Sequence, residues 1–84
     1  MKHYFVKRFR GYQFEFTRDL HSSPDTWYDI SVIADNRQIK YRMHKNSESL
    51  WKITTQRLPP WLYSLETEFN DAIQINENPH PAIN

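Results

Sequence analysis

Hydropathy alternates residue by residue along YQFEFTR, residues 12–18. Tyr12, Phe14 and Phe16 take one side, and Gln13, Glu15 and Thr17 the other. Side chains two apart share a face only in extended chain, so this period, with its aromatic bias, predicts a strand buried on one face and wet on the other. The same period recurs in TWYDISVIA, where Tyr28, Ile30 and Val32 oppose Asp29, Ser31 and Ile33. It recurs again in IKYRMHK, where Ile39, Tyr41 and Met43 oppose Lys40, Arg42 and His44. LWKITTQ predicts a short further strand with Trp51 and Ile53 on one face. Strands wet on one side belong to an antiparallel sheet, because parallel sheets are covered on both faces. The polar stretches HSSPD, DNRQ and NSES supply the turns between them.

Before the first of these strands, HYFVKRF is also rich in strand-forming residues, and Gly11 follows as the chain's only glycine. It makes a hairpin with YQFEFTR, in one of two registers. A two-residue Arg10-Gly11 loop pairs Phe9 with Tyr12 and places Phe5 on the core face. A three-residue loop with Gly11 as its left-handed residue selects Tyr4 and Val6 instead. The three-residue loop is the expected one, since the type I′ turn of the shorter loop forces Arg10 to positive φ.

At RLPPWLYSLETEFNDAIQIN the period changes. Leu62, Leu65, Phe69, Ala72 and Ile73 fall on one face at helical spacing, flanked by Trp61. Pro60 suits the first helical position, where its missing N–H is an orphan donor in any case. No Ser, Thr, Asp or Asn stands ready as N-cap, so packing must hold this helix of about residues 60–75 in place. The expected fold is therefore α+β: an antiparallel, meander-like sheet of four or five strands, with one C-terminal amphipathic helix packed on one face. Residues 1–76 form a single domain in this reading, and 77–84, with two prolines and no apolar period, a frayed or disordered tail.

Composition narrows the chemistry. At 84 residues there is one core, and aromatic residues at 15% must supply much of it, each ring burying about 150–250 Å². Cysteine is absent, which excludes disulfides, thiolate catalysis and cysteine-ligated zinc. No apolar run approaches the ~20 residues of a membrane helix, and the start lacks the apolar core of a secretory signal. The default expectation is a soluble cytoplasmic protein with no membrane association.

His3, His21, His44 and His80 form no H-x₃-H pair and stand beside no acid at ligand spacing, so no metal is expected. The serines lie in turn-like stretches without a G-x-S-x-G or S-x-x-K pattern, and one glycine cannot build a phosphate-cradling loop. These absences predict a chain without a cofactor and without enzymatic activity.

Two surfaces remain as binding candidates. Lys40, Arg42 and His44 share the face away from the helix, and the basic arm Lys7, Arg8 and Arg10, with the ring of Phe5, could extend it. The second is acidic: all eleven Lys and Arg fall in residues 1–57, while Glu66, Glu68 and Asp71 on the helix have no cation near them. A helix face of that kind complements a basic surface on another protein or another copy. The reading is a small non-enzymatic binding or adaptor module for a protein partner, as a homodimer in one version. The alternative is a weak single-stranded nucleic-acid binder using the basic sheet face, where rings and cations would stack bases and hold phosphates. A net charge of +1 is low for that role.

Overall fold

In a computed structural model of the chain, residues 1–19 and 26–79 are described. The HSSPD turn and the end of the tail, 80–84, lie outside them. Five strands follow one another, β1 (Tyr4–Phe9), β2 (Tyr12–Arg18), β3 (Trp27–Ala34), β4 (Arg37–Lys45) and β5 (Trp51–Ile53). Each pairs antiparallel with the next, so the sheet is a meander in sequence order. The alternating residues face as their period predicts. Phe14, Phe16, Tyr28, Ile30, Val32, Tyr41, Met43 and Trp51 are buried beneath the helical layer.

That layer is two pieces, α1 (Pro60–Tyr63) and α2 (Glu66–Glu77), not the one helix expected. Ser64 ends α1, its hydroxyl donating to the Trp61 carbonyl at 2.7 Å, and Leu65 N–H reaches back only three residues, to Leu62. Such local bonds compete with α-helical ones. Neither helix has a side-chain N-cap. The apolar stripe nonetheless runs through the break, and Leu62, Leu65, Phe69, Ala72 and Ile73 are all buried. α2 also extends past the expected domain end at 76, because Glu77 is tied to the sheet by Arg18 and Tyr28.

The first hairpin corrects the expected register. Phe9 pairs with Tyr12 across a two-residue loop, with Arg10 at φ 54° and Gly11 at φ 80°. Left-handed backbone at a non-glycine residue costs about 1–2 kcal/mol. Against that stands burial. Phe5 stacks on Phe16 with centroids 4.5 Å apart, and Phe9 meets Phe14 at 5.7 Å and Phe69 at 5.6 Å. The two-residue loop turns Phe5 and Phe9 onto the core, where the other register would place Tyr4, with its hydroxyl, and the smaller Val6, so packing favours the strained turn. The other register would have buried Tyr4 and Val6, which instead lie exposed. Asp35-Asn36, the β3–β4 loop, also has two positive φ values, 53° and 61°, but at residues that tolerate them. Arg10→Asn should therefore raise stability by up to about 1 kcal/mol. Thermal melting measures it, and a lower melting temperature would assign the Arg10 side chain some other stabilising role.

Candidate binding face of the sheet

The helices cover one face of the sheet and leave the other open. On that open face the register sets four strands side by side: Val6, Glu15, Ser31 and Lys40 form one row, and Tyr4, Thr17, Asp29 and Arg42 the next. Lys40, Arg42 and His44 are together there, as their alternation predicts. The face holds a broad depression of about 860 Å³, bordered by Glu15, Asp29, Lys40, Arg42 and His44, with Thr54 and Thr55 at the β5 side.

Arg42 is largely engaged within the chain. Its Nε donates to Asp29 Oδ1 at 2.9 Å, and its guanidinium lies 4.5 Å from the centroid of the Trp27 ring. Both members of the ion pair are about half exposed, so solvent screens it and its worth is local order more than stability. His44 Nδ1 shares a 2.8 Å hydrogen bond with Thr54 Oγ1, and its ring sits 5.7 Å from Trp27. Lys40 and Glu15 make no hydrogen bond or ion pair among the described residues. Ile33, on the central strand, is 67% exposed amid this polar face.

The basic arm does not join the face as a unit. Arg8 is on it, near the hairpin turn, with Nη2 donating to the Gly11 carbonyl at 3.1 Å. Arg10 is exposed within the turn itself. Lys7 pairs opposite Phe14 and Phe5 opposite Phe16, so both belong to the helix side. That is a correction, and its cause is the two-residue loop, which inverts the facing of every β1 residue relative to the expected register. Phe5 is spent on Phe16 and, edge-on, on Tyr28 at 6.2 Å.

The acidic helix surface is also divided. Glu66 is not free for a partner: its Oε2 accepts from the Ile53 backbone N–H at 2.7 Å, and Oε1 lies 3.4 Å from Lys52 Nζ. Glu68 and Asp71 are exposed, Asp71 beside Asn70, whose Nδ2 is 3.4 Å away.

Two features escaped the reading of residues. Ile33 sits in polar phase between Ser31 and the turn, and that apolar residue out of phase was its signal. Glu77 had no local signal. Its carboxylate accepts from Arg18 Nε at 2.8 Å and from the Tyr28 hydroxyl, which in turn accepts from Asn76 Nδ2 at 2.8 Å. Burial pushes the Glu77 carboxyl up, but the Arg18 and Tyr28 donors outweigh it and hold the group below the usual carboxylate range. Burial and the bond to Glu77 push the Tyr28 hydroxyl well above its ordinary value. Among the described residues, no three His, Asp or Glu side chains come together as a metal site. No helix among the described residues is long and apolar enough to cross a membrane.

Chemically, the open face offers hydrogen bonds, single charges and exposed apolar side chains. The chain matches no protein-family model, and comparison with curated proteins and with solved structures likewise finds no match.

Proposed function

We propose that this chain is a small binding module, without chemistry of its own, that engages a protein partner through the open face of its sheet. The exposure of Ile33 on the central strand carries this reading. An apolar side chain there, bordered by Gln13, Glu15, Ser31 and Gln38, gives this end of the face the mixed apolar and polar character of an interface. The unpaired Lys40 and Glu15 suit a partner that brings a carboxylate to one and a cation to the other. The Trp27 ring beside Arg42 and His44 supports the alternative, a single-stranded nucleic acid. Against it, Arg42 is spent on Asp29, and Glu15 interleaves negative charge where phosphates would lie.

The test compares affinity capture by wild type, Ile33→Asp, Lys40→Glu and, on the helix face, Glu68→Ala. Ile33→Asp within such an interface should cost on the order of 2 kcal/mol, about 30-fold in affinity. A partner retained by Glu68→Ala and lost by Ile33→Asp supports the open face, and the reverse pattern overturns it. Oligonucleotide binding at low salt that falls steeply as salt rises would establish the nucleic-acid alternative in its place.

A further inference from the structure

The two edges of the sheet are finished differently. On β5 the outer backbone donors are taken: Trp51 N–H donates to Asn70 Oδ1 at 2.7 Å and Ile53 N–H to Glu66 Oε2 at 2.7 Å. Side chains of α2 thus close that edge to any further strand. On the β1 edge Asn76 of α2 holds both backbone groups of Lys2, its Oδ1 accepting from the Lys2 N–H at 2.9 Å and its Nδ2 donating to the Lys2 carbonyl at 2.8 Å, but from Tyr4 to Phe9 there is no such cover among the described residues. Arg18 N–H donates to the His3 carbonyl at 2.8 Å, which places His3, and by alternation Phe5, Lys7 and Phe9, in the inward-bonding rows toward β2. The backbone groups of Tyr4, Val6 and Arg8 therefore point outward. Their side chains share the open face, where Tyr4 is 52% and Val6 38% exposed.

We propose that two copies of this chain pair antiparallel along β1 about a two-fold axis at Val6, joining two five-stranded sheets into one. An edge strand with unpaired backbone groups and exposed apolar side chains is a template for another strand. Cross-strand charge favours a register centred on Val6 over one centred on Lys7. Centred on Val6, the pairing sets Val6 against Val6, Tyr4 against Arg8 and Phe5 against Lys7, with no cation facing a cation. Each outward-pointing residue then meets another outward-pointing one, so both sets of backbone groups are satisfied. A register centred on Lys7 would face Lys7 with Lys7, which is unfavourable. The closed β5 edge ends the assembly at two copies, since neither outer edge of the joined sheet can add a strand. This dimer does not depend on what the open face binds.

Sedimentation across a wide concentration range tests it, with Val6→Lys and Val6→Glu as variants. Val6 is partly exposed in the single chain, so each variant should keep the wild-type circular dichroism and melting. Wild type is expected at dimer mass, each variant alone at monomer mass, and an equimolar mixture of the two at dimer mass again. Lys7 and Arg8 of both copies gather at the joint, so the wild-type dimer should tighten as salt rises. A wild type that stays monomeric up to millimolar concentration, or variants that dimerise as well as wild type, would overturn the proposal. So would a dimer that loosens with salt, which would point to joining by opposite charges. Loss of partner capture in Ile33→Asp leaves this result untouched, so the two readings fail separately.

Discussion

Phe69→Ala should lower the melting temperature by at least about 12 °C. Phe69 is fully buried, and its ring is shared by three elements of the sheet. It meets Phe9 of β1 at 5.6 Å, Phe14 of β2 at 5.0 Å and Tyr41 of β4 at 5.6 Å, so one side chain joins the helix to strands paired in sequence. Truncating a buried Phe costs about 3–5 kcal/mol, because the cavity adds to the lost transfer energy. A domain of this size has on the order of 4–12 kcal/mol in total. At about 4 °C or more per kcal/mol, even the lower cost gives the stated shift. Rings around the cavity are large and mutually packed, which limits their collapse into it. Unchanged melting would mean that α2 does not pack on the sheet as described.

The second large effect concerns Glu77. Glu77→Gln should cost about 1–3 kcal/mol at neutral pH, since Arg18 and the Tyr28 hydroxyl lose a charged acceptor in a mostly enclosed site. It should also change the acid limb of the stability profile. The folded-state pKa of Glu77 lies below its unfolded value, so the unfolded chain takes up the proton first. The stabilisation is therefore complete above the ordinary Glu value of about 4.3 and is lost as pH falls through the lower folded value. Denaturant unfolding at a series of pH values should show a wild-type decline below that point which the variant lacks. Equal acid slopes in the two proteins would remove Glu77 from the account. The raised guanidinium pKa of Arg18, held by its hydrogen bond to Glu77, keeps the cation charged throughout this window.

How much of this was legible in the residues differs from element to element. β2, β3 and β4 could be read because alternation is a local property: a strand's two faces are written in its own successive residues. The stripe from Leu62 to Ile73 could be read for the same reason, at a different period. The grouping of Lys40, Arg42 and His44 followed directly. Their partners did not, since Asp29 and Trp27 reach Arg42 only through the β3–β4 register. The facing of β1 is not legible from the turn, where backbone strain by itself points to the longer loop. The opposing gain, two rings placed against Phe16 and Phe69, exists only once the helix is in position.

By itself, then, the sequence determined the fold class, the core faces of the middle strands and the helical stripe, all set by periods shorter than one element. The tertiary structure decided the two-residue turn at Gly11, the spending of Glu66 and Asn70 on the β5 edge, and the Glu77 tie to Arg18 and Tyr28. Each of these balances a local cost or a polar group against a partner in another element of the chain. That balance is struck only when the chain brings the two together.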